Sequence, residues 1–435
     1  MAEIASQTAH GASPSLRVPM SRRSMVVAGL STVVEWYDFT LYLYFSTVLA
    51  RVFFGTGPQS MTETLGGFAI AYLMRPVGAL VFGHFGDRLG RRLTMLSSMA
   101  LMTVAMLATA MLPTYAQIGP LAGVLLVALR CLMSFSVGGE YTGVVAYLME
   151  GAKDSRRGLI TSCASAASEL GALLAAGAAA LSVWAMPEDA LVSWGWRLPF
   201  LFGAALAGLV LITRATLEET PEFLRQRDAG TVPTKPIRQT LTRHRSAIAR
   251  GFAISALGSI TYYVGITYVP AFLDATGTMP ETRALSISIL AALTVILVTP
   301  LIGLASDRFG RRPILLVLAL GGIFLPTGIF AIMAGGGPAT WAGAIILAAL
   351  GGAVSAVGAV TTAEQFPGEG RLSGLALGAT TATAIFGGLT PLVAHLLVTN
   401  SGWAAAPGAM IACVALCVII VFWRMPETAP ARARR

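Results

Sequence analysis

The sequence predicts an all-α integral membrane protein of twelve transmembrane helices, arranged as two pseudo-symmetric bundles of six. Three observations lead there. Mean hydropathy is +0.72, and 55% of residues are hydrophobic against 12% charged. That balance excludes an ordinary soluble domain. A helix that crosses a bilayer needs roughly 20 mainly apolar residues, and twelve stretches qualify. Finally, Gly83-His84-Phe85-Gly86-Asp87-Arg88-Leu89-Gly90-Arg91-Arg92 is echoed by Gly303-Leu304-Ala305-Ser306-Asp307-Arg308-Phe309-Gly310-Arg311-Arg312. Each copy lies between two long apolar segments, so the chain reads as two similar membrane halves joined end to end.

Residues 1–23 are polar and carry Arg17, Arg22 and Arg23, and are assigned to an N-terminal tail. The first apolar run, 24–54, contains Glu35 and Asp38. It is a poor signal-peptide core and is read as an uncleaved first helix. Runs 64–86 and 93–112 flank the first copy of the repeated string. Run 118–147 leads into Glu150, followed by Arg156-Arg157-Gly158. Run 159–183 repeats a small residue every fourth position at Gly171, Ala175 and Ala179, a spacing that lets another helix approach closely. Run 198–216 closes a first bundle of 24–216. Residues 217–247 are polar and basic, hold Pro221, Pro233 and Pro236, and form a linker.

The second bundle, 248–424, contains runs 248–273, 284–305, 313–334, 338–363, 372–398 and 403–424. Run 338–363 leads into Glu364-Gln365-Phe366-Pro367 and then Arg371, as the fourth run leads into Glu150. The sixth and twelfth runs exit into Glu219-Thr220-Pro221-Glu222 and Pro426-Glu427-Thr428. Gly387-Gly388 and Pro391 should weaken or bend the eleventh helix. Residues 425–435 form a short basic tail. No alternating ten-residue pattern points to a membrane barrel.

The net charge of +9 reflects topology. Arg51, Arg197 and Arg283 fall near one face, and Arg75 and Arg130 inside the membrane. The other 25 of the 30 Lys and Arg fall at the termini or in connections 2–3, 4–5, 6–7, 8–9 and 10–11. Those all share one side, which the positive-inside rule makes the cytoplasm. Both termini are therefore expected there, and a nucleic-acid partner is not. Cys131, Cys163, Cys413 and Cys417 all lie in apolar runs and give neither a disulfide framework nor a metal motif.

Several strings resemble the major facilitator superfamily and, within it, the metabolite–proton symporters. They are Glu35-Trp36-Tyr37-Asp38-Phe39, Met74-Arg75-Pro76-Val77-Gly78, and Phe135-Ser136-Val137-Gly138-Gly139-Glu140-Tyr141. Trp194-Gly195-Trp196-Arg197-Leu198-Pro199-Phe200 and Ala384-Ile385-Phe386-Gly387-Gly388-Leu389-Thr390-Pro391 complete the set. The family usually carries Arg-x-x-Gln-Gly-Phe in helix 4. Here Arg130-Cys131-Leu132-Met133-Ser134-Phe135 replaces the amide by Met133. The resemblance implies a secondary transporter, not an enzyme, in a bacterial inner membrane. It would import a small organic acid with protons by alternating access, as a monomer and without a metal or other cofactor. Import of a zwitterion such as proline or betaine is the alternative, and a drug–proton antiporter a further one.

Ionisable groups in a bilayer core cost roughly 2.5–3.5 kcal/mol each on insertion scales, which makes them functional candidates. Glu35 and Asp38 are three apart on one helical face, with Tyr42 continuing it. Glu35 lies roughly 15 Å deep. Asp38, Glu35 and Glu140 are the proton-coupling candidates. Arg130 and Arg75 can grip a carboxylate in bidentate fashion, and with Tyr42, Tyr262 and Tyr263 they form the substrate-binding set. Tyr268 is a further cavity candidate, Glu169 a further buried acid, and His395 an interface histidine. Asp87 and Asp307 can sit at helix N-termini, and Arg91 and Arg311 can pair with Glu150 and Glu364. By resemblance, Asp87, Arg88, Gly90, Arg91, Asp307, Arg308 and Arg311 gate one side of the protein, with Glu150 and Glu364.

Overall fold

A computed structural model describes residues 20–430, apart from Pro58 and Pro280. Most of the two predicted tails, Arg17 included, lies outside the described residues, as does the Arg283 side chain. The described residues form helices joined by turns and short loops, and the spans follow the apolar runs. They are α1 (Arg22–Tyr44, continued by Ser46–Leu49 and Ala50–Phe54), α2 (Ser60–Tyr72 and Met74–Leu89), α3 (Arg91–Ala110) and α4 (Leu121–Gly151). Next come α5 (Arg157–Ala185), α6 (Arg197–Arg214) and α7 (Arg245–Tyr262, Tyr263–Thr267 and Val269–Ala275). Then follow α8 (Glu281–Phe309), α9 (Arg311–Met333) and α10 (Pro338–Glu364). The last two are α11 (Arg371–Leu375, Ala376–Thr380, Thr381–Phe386 and Thr390–Ser401) and α12 (Ala406–Arg424).

Ten of these are long and apolar enough to cross a membrane outright, and α7, bent by 48°, makes an eleventh. The remaining one is α1, whose middle carries Glu35 and Asp38. Large apolar side chains such as Trp184, Phe324 and Ile212 are 71–85% exposed. Such a surface suits lipid, where the helices satisfy their own backbone groups.

Two bundles of six result. One core, around Val34, Tyr37, Met102, Phe53 and Phe200, belongs to α1–α6. Separate cores around Phe272 with Phe330 and around Leu257 with Leu315 belong to α7–α12. The bundles meet along α5 with α8 and α2 with α11, which are equivalent pairs under the duplication. Within the first bundle α5 packs closely on α1. A Cβ at Gly171 would collide with the Val33 carbonyl, so the small-residue stripe acts as its spacing implies.

The linker contains more structure than its polarity indicated. Two short helices, Pro221–Asp228 and Pro236–Arg243, cross it. Each begins with proline at its first position, where the missing N–H costs nothing, and Thr220 caps the first. As expected, α11 is interrupted at Gly387–Leu389, where Thr381–Phe386 ends and Thr390–Ser401 starts.

Candidate functional site

Between the bundles lies a cavity of about 180 Å³ lined by α1, α2, α4 and α5 on one side and α7, α8, α10 and α11 on the other. It is smaller than the roughly 300–1,000 Å³ of drug-sized pockets. Its ionisable lining consists of Glu35, Arg75 and Glu169, among nine serine and threonine side chains. The serine Ser165 faces Ser355 of the other bundle at 3.3 Å.

Glu35 is 1% exposed, and its Oε2 has no hydrogen-bond partner among the described residues. Arg75 is stacked between Phe39 and Tyr72, its guanidinium carbon 4.7 Å from each ring centroid. Its Nε also lacks a partner. Glu169 accepts a hydrogen bond from the Tyr262 hydroxyl at 2.5 Å.

Toward the end away from the duplicated loops, five aromatic rings close a circuit. Centroids run from Trp36 to Phe39 (5.5 Å), to Tyr72 (6.1 Å), to Tyr263 (6.3 Å), to Tyr262 (5.5 Å) and back to Trp36 (5.6 Å). The Tyr72 and Tyr263 hydroxyls are 2.8 Å apart and join the two bundles. No cavity-lining residue of α1, α2 or α7 lies beyond this circuit.

The other end is closed by a two-fold set of contacts. An apolar seal of Val145, Met149, Val360, Ala363, Leu372 and Leu375 lies between α4, α10 and α11. Beyond it, Asp87 accepts the backbone N–H of Leu372 (3.2 Å) and Ser373 (2.9 Å) at the start of α11. Asp307 accepts those of Gly158 (2.8 Å) and Leu159 (2.9 Å) at the start of α5. Each aspartate thus binds the positive helix end of the opposite bundle. Arg91 reaches Glu150 at 3.3 Å and the Gly368 carbonyl at 2.7 Å. Its counterpart Arg311 bonds Glu364 at 3.2 and 3.3 Å. Arg371 bonds Glu150, and Arg157 lies 4.0 Å from Glu364, each pair spanning the bundles.

The termini of this lock are capped symmetrically as well. Glu219 accepts the Arg91 N–H at 2.9 Å, and Glu427 that of Arg311 at 2.8 Å. Burial raises the Glu219 carboxyl above its ordinary value, opposed by the backbone N–H groups of Thr220, Arg92 and Arg91. Gly90 (φ 107°) and Gly310 (φ 101°) precede the two capped helices, in a conformation only glycine adopts without strain.

Several expected site residues lie elsewhere. Arg130 grips Asp38 through Nη1–Oδ2 at 2.6 Å and Nη2–Oδ1 at 3.2 Å, inside the first bundle. Neither lines the cavity, so Arg130 is already spent on a protein carboxylate. Tyr42 packs beside Arg130 and donates to the Thr64 carbonyl at 3.0 Å, also outside the cavity. Glu140 is 0% exposed and paired with Arg214, with Ser98 donating to it at 2.6 Å. Arg214 reads in sequence as part of the basic end, yet it is wholly buried. Arg88 and Arg308 are exposed. Their neighbours are His84 and Phe309, so they stand outside the lock. Tyr268 packs against His395, away from the cavity. Met133 is in the apolar core of the first bundle. Among the described residues, no cluster of three metal-ligating side chains occurs.

Comparisons with known proteins bear on the family and the fold. The Sugar (and other) transporter model matches residues 24–240, and the Major Facilitator Superfamily model matches 276–435. The proline/betaine transporter of Salmonella typhimurium is 32% identical over 94% of this chain and 84% of its own length. The chain belongs to the major facilitator superfamily, in its metabolite–proton symporter group. Other relatives in that superfamily are the citrate-proton symporter of Klebsiella pneumoniae, 30% identical over 89% of this chain and 88% of its own, and the alpha-ketoglutarate permease of Escherichia coli, 34% identical over 86% and 87%. Among solved structures, the proton:xylose symporter XylE with a bound bromodeoxyglucose matches with TM-score 0.76 at 20% identity, covering 93% and 96% of the chains. An inward-open form of XylE from E. coli matches at 0.65 and 21%, covering 94% and 97%. These matches show the superfamily fold.

Proposed function

We propose that the chain imports a small carboxylate-bearing solute together with protons across a bacterial inner membrane, with both termini cytoplasmic. The observation that carries this is Arg75. It is a buried guanidinium that lines the central cavity, and among the described residues no carboxylate pairs with it. Citrate and alpha-ketoglutarate, named for two relatives, and proline and betaine, named for others, all bear a carboxylate. A guanidinium suits that group because its fork matches two oxygens.

In this reading Glu35 carries the coupling proton. It shares the cavity with Arg75, whose charge favours the Glu35 anion. A substrate carboxylate on Arg75 competes for that charge, so loading the cavity favours proton binding at Glu35. The coupling is reciprocal, because proton and substrate each raise the other's affinity. Asp38 and Glu140 are held by Arg130 and Arg214. Their roles are to set the packing of the first bundle and, for Asp38, to answer charge changes one turn from Glu35.

The two bodies 24–216 and 248–424 rock about the cavity, with 217–247 joining them. The aromatic circuit serves as the outer gate and the aspartate-to-helix contacts as the cytoplasmic one. Asp87, Gly90, Arg91, Glu150, Asp307, Arg311 and Glu364 make up the latter. Asp87→Asn weakens charge-assisted bonds of about 1.5–3 kcal/mol each. The inward-open population should then rise tenfold or more. Distances between spin labels at Arg88→Cys and Arg308→Cys would report it, and an unchanged distribution would remove Asp87 from the gate.

The test of the whole reading is a pH trace. Lightly buffered anaerobic cells that express the protein receive carboxylates one at a time. One of them should alkalinise the medium, and a protonophore should abolish the signal. Silence to every carboxylate, with membrane expression verified, would reject the proposal.

A further inference from the structure

One charged group of the cavity is unused by the transport cycle above: Glu169, which lines it together with Trp36 and Tyr262 of the aromatic circuit. Glu169 is 3% exposed on α5, opposite the bundle that carries Tyr262. The Tyr262 hydroxyl fixes one carboxylate oxygen at 2.5 Å. Trp36 meets Tyr262 edge to face with centroids 5.6 Å apart, and both rings line the cavity with Glu169. A carboxylate beside aromatic faces in a desolvated pocket is an environment for an organic cation, which gains from both ion pairing and the ring quadrupoles.

Charge balance points the same way. The cavity holds two acids, Glu35 and Glu169, and one base, Arg75. With the coupling proton on Glu35, Glu169 and Arg75 leave the lining neutral. A solute with one carboxylate and one ammonium group keeps it neutral. A dianion would add two negative charges beside Glu169, and uncompensated charge at this depth is costly. We infer that Glu169, with Trp36 and Tyr262, forms a cation subsite, and that the carboxylate-bearing solute held by Arg75 is a small zwitterion. This assignment rests on the transport reading above and makes Glu169 a determinant of specificity.

Glycine betaine and 3,3-dimethylbutanoate separate the two ends of the substrate. They share shape and carboxylate and differ in a quaternary nitrogen against a quaternary carbon. The purified protein in liposomes under an inward proton gradient would be challenged with both, with L-proline, and with citrate and 2-oxoglutarate. At least one zwitterion should be taken up. Glycine betaine should compete with it at least tenfold better than 3,3-dimethylbutanoate. Glu169→Gln should shrink that gap to about threefold or less, and Tyr262→Phe should shrink it in part. A merely structural role for Glu169 would lower all uptake and leave the ratio unchanged, which would overturn the assignment. Proton-coupled uptake of citrate or 2-oxoglutarate, with both zwitterions inert, would overturn the zwitterion and leave the transporter standing. Uptake of no carboxylate, with correctly inserted protein, would overturn both. The comparison of betaine with its carbon analogue needs no variant, so a misfolded Glu169→Gln would not blunt it.

Discussion

Glu35→Gln should abolish uphill accumulation while leaving exchange of substrate across the membrane. The side chain keeps its size and loses its titration, so the cavity can still load and rock. What disappears is the link between substrate and proton. Each proton carried inward adds about 2.3 kcal/mol per 100 mV of membrane potential, a concentration ratio of roughly fifty. The mutant's accumulation ratio should therefore collapse from tens toward one. Its counterflow rate should stay within an order of magnitude of the parent's, and independent of external pH. Uptake of labelled substrate into energised and de-energised vesicles measures both quantities. Retained accumulation in Glu35→Gln would move the coupling proton elsewhere, with Asp38 the next carboxylate to replace.

Arg214→Met should be the most destabilising single change in the first bundle. Arg214 and Glu140 are both 0% exposed. The guanidinium also donates to the Met95 carbonyl at 2.7 Å and to the Ser31 hydroxyl. Its removal strands a carboxylate inside the bundle, and breaking one side of a buried pair typically costs about 3–5 kcal/mol. The double change Glu140→Leu with Arg214→Met should recover most of that loss, because no charge is left unpaired. Thermal unfolding in detergent, followed by the surviving monodisperse fraction, would rank the three proteins. A single variant as stable as the parent would show that water reaches Glu140.

The fold was legible because its signals are local. Apolar length and a repeated loop string give twelve spans and two halves, and the observed helix ends track the runs. Partnership among the charges was not legible. Glu35 and Asp38 are three residues apart, which in a helix of 3.6 residues per turn is about 60° around the axis. That offset turns Glu35 into the cavity and Asp38 into the bundle beside Arg130. Spacing shows the shared face and cannot show which neighbour lies on each side of it. Arg214 was hidden for another reason. It ends an apolar run, where a basic residue reads as topology. For Glu169 a signal existed. Ser165, Ser168 and Glu169 form a polar stripe at helical spacing in the middle of α5, although no family string marks it. The gate was half legible. The aspartates were expected at helix N-termini, but only the three-dimensional pairing shows that each serves the opposite bundle.

The matched caps Glu219 and Glu427 have an evolutionary and a practical corollary. If one ancestral half was copied and fused, its exit segment had two fates. In the first copy it leads into the linker, while in the second it follows α12 as residues 425–428. Both kept the glutamate that caps the helix after the repeated loop, and both kept the threonine behind it. Thr428 still bonds Glu364 at 2.8 Å. Residues 427 and 428 thus keep a task in the lock, and any fluorescent fusion or truncation should begin beyond Thr428.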